Sequence, residues 1–362
     1  MQNGLVLAHQ DGLPVFVHGG LPGEEVLVQI VKSRAQHSFA VVQKVLKSSA
    51  DRIDSDCSIF PACGGCSFRH LDYAKEIELK RKLLEENRHL LPVLEDLQIH
   101  TAQRNHYRNQ VRLHRGSSGR GFYRLHTNEV VPLPSDGCLN LAPEINAKLA
   151  GDSILEARLE GDDFNVPLGE GTFWSMPADG FAQSNRFLVL PWLTSMAGIA
   201  KKAGSFRSVV ELFCGSGLIG GFLKKSIGQL RESYYLGVES HRGALAVARS
   251  NFRQFDFRGK FQSLDLYGPG APESISYAPR EDASLLIVNP PRAGLKEALC
   301  HWIQKMRFES VIYSSCNPHT LNRDVGILCA TDYSLVEGHW FDFFPGTPHS
   351  EMVVHLRRNA GP

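Results

Sequence analysis

Three short segments carry the residue types that could do chemistry, and they come in a fixed order. Tyr313-Ser314-Ser315-Cys316-Asn317-Pro318 sets a cysteine in a polar turn directly after the apolar run Val311-Ile312. Upstream, Glu211-Leu212-Phe213-Cys214-Gly215-Ser216-Gly217 follows an apolar stretch and opens a helical one. Glycines in such a loop let the backbone approach a ligand without a Cβ clash. Between the two stands Asn289-Pro290-Pro291-Arg292, a turn that could frame a target base. A thiol, a cofactor-type loop and such a turn, in that order, suggest covalent chemistry on a nucleobase. The competing reading of Cys316 is a buried structural cysteine in an ordinary α/β domain.

A lone Gly-x-Gly is often only a tight turn, so its surroundings must decide. Glu239 ends the next apolar strand, at the spacing where a carboxylate would grip ribose hydroxyls. Asp265, after the strand that follows, can accept from an adenine amine. The missing third glycine argues against a dinucleotide fingerprint, and an adenosyl ligand such as S-adenosylmethionine suits Phe213, Gly215, Gly217, Glu239 and Asp265 better.

The eight cysteines are clustered, and in a cytosolic chain metal binding or catalysis is expected before disulfides. Cys57, Cys63 and Cys66 give C-x5-C-x2-C with Gly64 and Gly65 between the last two, and Cys138 follows in Asp136-Gly137-Cys138. Four thiolates could hold zinc or a [4Fe–4S] cluster. Zinc more often takes two C-x2-C pairs, and only one is present, so iron–sulfur is preferred. A separate stretch, Arg104, Arg108, Arg112, Arg115, Arg120 and Arg124, contains no acid and is interleaved with Tyr107, Phe122 and Tyr123. Arginines beside aromatics suit an RNA backbone with unstacked bases, against the plainer reading of a solvated basic face.

The elements that must position these groups can be sketched from periodicity. At 362 residues the chain has room for two or three domains. No apolar run approaches the roughly 20 residues that span a bilayer, and the N-terminus lacks signal-peptide features, so a cytoplasmic protein without membrane contact is expected. The net charge of +1 excludes no class, and a monomer is the default. Residues 1 to about 50 read as short strands (Leu13 to Val17, Glu25 to Val31, Phe39 to Leu46) forming a small barrel. Tyr73 to Leu91 looks helical, 105 to 180 mostly β, and a helix with Ser184 as N-cap should run to Lys202, with Pro191 inside it. From Ser208 onward, Val209 to Leu212, Tyr235 to Val238, Leu285 to Val288 and Val311 to Tyr313 alternate with helical stretches. That βαβ rhythm indicates a doubly wound, Rossmann-like α/β domain.

Taken together, these motifs resemble the RNA 5-methyluridine (uracil-C5) methyltransferases, and most of all their iron–sulfur, TRAM-containing members that act on large-subunit ribosomal RNA. The resemblance covers nearly the whole chain. It implies a TRAM-like β-barrel over 1–52, a central mixed α+β RNA-binding domain over 53–180, and an S-adenosylmethionine-dependent methyltransferase domain over 181–362. Cys57, Cys63, Cys66 and Cys138 match the family's cluster ligands. Phe181-Ala182-Gln183-Ser184-Asn185 looks like its Phe-x-Gln-x-Asn segment, whose glutamine contacts the cofactor. Ser315-Cys316-Asn317-Pro318, with Thr320-Leu321 and Arg323-Asp324, matches the nucleophile motif, and Phe344-Pro345 through His349 and Glu351 resembles the segment carrying the general base. The resemblance implies that Cys316 adds to uracil C6 and Glu351 removes the C5 proton. Asn289 would serve cofactor and base, Arg292 the base, and Arg108, Arg112 and Phe122 the RNA, with ribosomal RNA ahead of transfer RNA. Two positions depart from the pattern: Asn289 stands where the family has Asp, and Leu218 where it has Asn. Asn289-Pro290-Pro291 also suits amino-group methyltransferases, and the departures suit a binding protein that has lost catalysis. Those two alternatives leave Cys316 and Glu351 without a task.

Overall fold

The computed structural model describes residues 4–151, 154–161, 165–169, 171–177, 182–278 and 283–359, and every element named below lies within them. Phe181 and the junction expected at 180/181 lie outside the described residues. Contacts divide the chain into two compact units, 1–82 with 103–159 and 344–349, and 83–102 with 160–343 and 350–362.

The first unit opens with strands β1 (Val6–Gln10), β2 (Leu13–His18), β3 (Glu25–Ser33) and β4 (Ser38–Lys47), a four-stranded sheet in the order β1-β2-β4-β3. Alternation along β2, β3 and β4 puts Val15, Val17, Ala40 and Val42 in a small core, with Val26, Val28 and Val45 packed on it. Helix α1 (Tyr73–Leu84) ends earlier than its amphipathic pattern suggests. The Asn87 side-chain amide donates to the Leu83 and Leu84 carbonyls at 3.3 Å, satisfying two of the groups a helix end leaves open. Helix α2 (Leu91–Leu94) and strand β5 (Gln98–His100) follow in the second unit. The chain then returns to the first unit with β6 (Gln110–Arg112), β7 (His114–Gly116), β8 (Gly119–Tyr123), β9 (Val130–Pro132), α3 (Pro143–Lys148) and β10 (Glu156–Arg158). Strands β7, β8 and β9 form a three-stranded sheet, and β10 pairs with β6.

The second unit continues with β11 (Val166–Gly169), β12 (Thr172–Trp174) and α4 (Val189–Ala203). Helix α4 starts five residues beyond Ser184, which places Pro191 in its first turn, where a missing N–H breaks no intrahelical bond. The βαβ rhythm is borne out by β13 (Ser208–Leu212), α5 (Leu218–Ser226), β14 (Tyr234–Glu239), α6 (Arg242–Gln254), β15 (Lys260–Ser263), α7 (Ala271–Ser274), β16 (Ser284–Val288), α8 (Lys296–Met306), β17 (Ser310–Ser315) and α9 (Pro318–Cys329). Strands β18 (Tyr333–Phe341) and β19 (Glu351–Arg358) complete an eight-stranded sheet in the order β15-β14-β13-β16-β17-β19-β18-β5. Every residue of β13, β16 and β17 is buried, which is why they read as mostly apolar stretches without polar alternation. Strand β13 pairs in parallel with β14 on one side and β16 on the other, so strand order reverses there. Ligands of open α/β sheets bind outside the carboxyl ends of the strands at such a reversal.

Candidate active site

The loop after β13 is built for close approach. Gly215 and Gly217 hold left-handed φ of 52° and 72°, and a Cβ on Gly215 would meet only open space. Phe213, a non-glycine residue, holds φ of 58°, a conformation that costs energy and recurs at ligand sites. Beneath the loop, Glu211 is fully buried, and its Oε2 accepts from the Gly220 amide at 2.9 Å and the Tyr235 hydroxyl at 2.7 Å. Burial pushes its carboxyl up to about 7 against those donors. Glu239, at the end of β14, accepts from the amides of Gly215 at 3.1 Å and His241 at 2.9 Å. Its carboxylate thus fixes the glycine loop and stands where a ribose could replace those amides. Asp265 is exposed after β15 and accepts from the Tyr267 amide at 3.0 Å. Gln183 is buried, and its neighbour Asn185 donates to the Phe343 carbonyl at 3.2 Å.

The thiol and the carboxylate come together through strand register. Strand β17 runs antiparallel to β19, with Ser314 opposite Val353 and Ser315 opposite Met352. One further step sets Cys316 beside Glu351, the first residue of β19. Directly opposed side chains in such a pair lie about 5 Å apart at Cβ. Cys316 is half-buried; burial and the Glu351 carboxylate raise its pKa, and the Arg292 guanidinium opposes the rise. Glu351 is fully buried, pushed up to about 7 by burial against one hydrogen bond, from the Ser314 hydroxyl at 2.5 Å. A carboxyl that titrates near neutrality can both take and release a proton under ordinary conditions.

The turn opposite follows β16. Asn289 is half-buried directly after Val288, and Arg292 is exposed. The Arg292 carbonyl accepts from Asn317 Nδ2 at 3.0 Å and Thr320 Oγ1 at 3.2 Å, which ties the Asn-Pro-Pro-Arg turn to the cysteine turn. Asp324, inside α9 and fully buried, accepts from the Leu295 amide and the Tyr313 hydroxyl, both at 2.7 Å. It therefore fastens the end of that turn to β17. In the sequence Asp324 belongs to the Arg323-Asp324 pair of the nucleophile motif, and its signal is that of a lone acid on the apolar face of a helix, beside Leu321, Val325 and Leu328.

In the first unit, Cys57, Cys63, Cys66 and Cys138 line one cavity of about 30 Å³, walled by Arg108, Phe122 and Asn140. Asn140 Nδ2 donates to Cys66 Sγ at 3.2 Å, and the Gly65 amide to Cys63 Sγ at 3.4 Å. Burial pushes the Cys63 thiol up to about 12 and raises Cys57 and Cys138 as well. Arg69, fully buried, hydrogen-bonds Asp56, Asn105 and Asn140 and brings a cation close to Cys66. Among the described residues no three His, Cys, Asp or Glu side chains converge tightly enough for a single metal ion. The arginine stretch, acid-free in sequence, acquires acids from elsewhere. Arg104 pairs with buried Glu76 at 3.2 Å, Arg112 with Glu156 at 2.9 Å and Arg124 with Glu129 at 2.8 Å, while Arg120 holds the Leu149 and Ile154 carbonyls. Arg112 is exposed on β6, Phe122 and Arg108 face the cysteine cavity, and Tyr123 stacks on His114 at 4.0 Å.

The family model for tRNA (Uracil-5-)-methyltransferase matches residues 279–359, the span that holds Asn289, Cys316 and Glu351. A Leptospira interrogans protein named as an uncharacterized RNA methyltransferase is 31% identical over 98% of this chain and 92% of its own length. The 23S rRNA (uracil(1939)-C(5))-methyltransferase RlmD of Hahella chejuensis is 27% identical over 96% and 93%. Among solved structures, the tRNA (uracil-54, C5)-methyltransferase of Pyrococcus abyssi, in complex with S-adenosyl-L-homocysteine, has a TM-score of 0.65. It is 22% identical and covers 96% of both chains, so it shares the fold. The chain belongs to the RNA (uracil-5-)-methyltransferase family.

Proposed function

We propose that this enzyme methylates C5 of a uracil in ribosomal RNA through a covalent adduct on Cys316, with Glu351 as the base. The observation that carries the reading is the β17–β19 register, which sets a thiol and a buried carboxyl titrating near 7 side by side. Uracil C5 is a weak nucleophile, so Cys316 must first add to C6 and load electron density onto C5. Arg292 favours the thiolate needed for that addition and, with Asn289, holds the base. S-adenosylmethionine, when bound, supplies an electrophilic methyl group, and Gln183, Phe213, Gly215, Gly217, Glu239, Asp265 and Asn289 would hold it. Glu351 then takes the C5 proton, the C5–H electrons close the C5–C6 double bond, and Cys316 leaves as thiolate. The target must be turned out of any stack, because both faces of a stacked base are covered. Arg108, Arg112 and Phe122 would contact the RNA, with the N-terminal sheet as a TRAM-type module beside them. The name of the Hahella relative supports ribosomal RNA.

Within the same proposal, Cys57, Cys63, Cys66 and Cys138 hold a [4Fe–4S] cluster. The support is a single cavity lined by all four, with side-chain and amide donors aimed at sulfur and a buried arginine alongside. Anaerobically purified protein should contain iron and acid-labile sulfide, lost when any of the four becomes serine; zinc without sulfide would overturn the assignment. For the reaction, RNA transcribed with tritium at uracil C5 should release tritium only with S-adenosylmethionine and Cys316. Methyl transfer without tritium release would contradict C5 as the acceptor.

A further inference from the structure

We propose that Ser314 and Trp192 are positioning residues that orient and ionise Glu351, an inference that rests on Glu351 being the base. Ser314 lies two residues before Cys316, so both side chains stand on one face of β17. Opposite them on β19, Val353 pairs with Ser314 and Glu351 lies one register step beyond Ser315–Met352, so Ser314 and Glu351 form the diagonal pair of that face. The Ser314 hydroxyl donates to Glu351 Oε1 at 2.5 Å, and Ser314 Oγ accepts from Trp192 Nε1 at 2.9 Å. All three side chains are buried, with at most 2% of each residue exposed.

The direction of this chain is forced. An indole N–H donates and cannot accept, so it occupies an oxygen lone pair of Ser314 and leaves the hydroxyl hydrogen for the carboxylate. For the same reason no proton can leave past Trp192, and the chain is a brace rather than a relay. A hydrogen bond to an ionised acceptor favours the charged form. Ser314 therefore counters the burial that would otherwise keep Glu351 protonated and unable to act as a base. Trp192 comes from the first turn of α4, so the fit of that helix on the sheet sets the carboxylate's orientation.

The test uses the full enzyme, S-adenosylmethionine, and ribosomal RNA transcribed with tritium at uracil C5. Ser314→Ala should shift the acidic limb of the tritium-release profile upward by about one pH unit and slow release about tenfold below that limb. Adduct formation by Cys316 should keep its rate, so the methylated protein–RNA adduct should accumulate on denaturing gels. Trp192→Phe, which keeps the ring and loses only the N–H, should shift the limb in the same direction by a smaller amount, and it carries the test should Ser314→Ala misfold. Ser314→Thr, which retains a hydroxyl, should restore the profile. A wild-type profile and adduct lifetime in folded Ser314→Ala and Trp192→Phe, alongside adduct accumulation in Glu351→Gln, would overturn the inference and leave the base assignment standing. No accumulation in Glu351→Gln would instead remove the base assignment itself.

Discussion

Glu211 and Glu351 sit in different parts of the second unit, and burial pushes both carboxyls up to about 7. Their surroundings differ. Glu211 accepts from the Tyr235 hydroxyl and from the Gly220 and Ile219 amides, and pins the strand end beneath the glycine loop to the helix that follows. Glu351 accepts from the Ser314 hydroxyl and, with the register carried one step past Ser315–Met352, stands directly across from a thiol. Equal shifts therefore accompany a fastener in one place and a candidate base in the other. A raised carboxyl reports burial; a chemical role needs a reacting partner within reach as well.

Substitution should separate the two carboxyls most sharply at the base. Glu351→Gln is expected to slow tritium release by roughly 10²–10⁴-fold, the range of general-base contributions, with no loss of folding. Glu211→Ala should do the reverse: about 2–3 kcal/mol less stability, read by urea unfolding, because buried donors lose their acceptor. Turnover of the remaining folded Glu211→Ala protein at saturating cofactor should fall by less than about tenfold. If the two substitutions exchanged these phenotypes, the comparison would be wrong.

Stability against pH sharpens it further. Unfolded, each carboxyl ionises near 4.5, and folded, near 7, so the folded protein holds these protons longer. The stability tied to each is fully present below about pH 4.5 and is lost as pH rises through about 7, at up to about 1.4 kcal/mol per pH unit. Glu351→Gln should remove its own share, about half of the slope the two carboxyls contribute together, seen in urea midpoints across this window. The smallest effect belongs to the first unit. Arg112→Ala breaks only an exposed pair with Glu156 and should weaken RNA binding about two- to fivefold in a filter assay.

The parts legible in sequence were those where local pattern and tertiary role coincide. Strands β13, β16 and β17 are buried on both faces, so Leu285 to Val288 and Val311 to Tyr313 stand out as apolar runs and Val209 to Leu212 as one broken by Glu211 alone, and the chemical residues follow directly at their ends. Other features depended on distant partners. Strand β5 is three residues long and is defined by pairing with β18. The arginine stretch looked uncompensated because Glu76, Glu129 and Glu156 lie outside it. Ser314 reads as one more polar residue in a turn; its meaning comes from Trp192, 122 positions earlier in the chain. The end of α1 was hidden for a related reason, since its amphipathic pattern continues while the Asn87 amide takes up the last carbonyls.

The central claim is that Cys316 and Glu351 act in succession on one uracil. It is tested most directly by the intact mass of Glu351→Gln after incubation with ribosomal RNA transcript and S-adenosylmethionine, followed by nuclease. The account predicts a protein species carrying a methylated nucleotide, absent when Cys316→Ala is added to the same variant. No such species, or one that persists without Cys316, would contradict it.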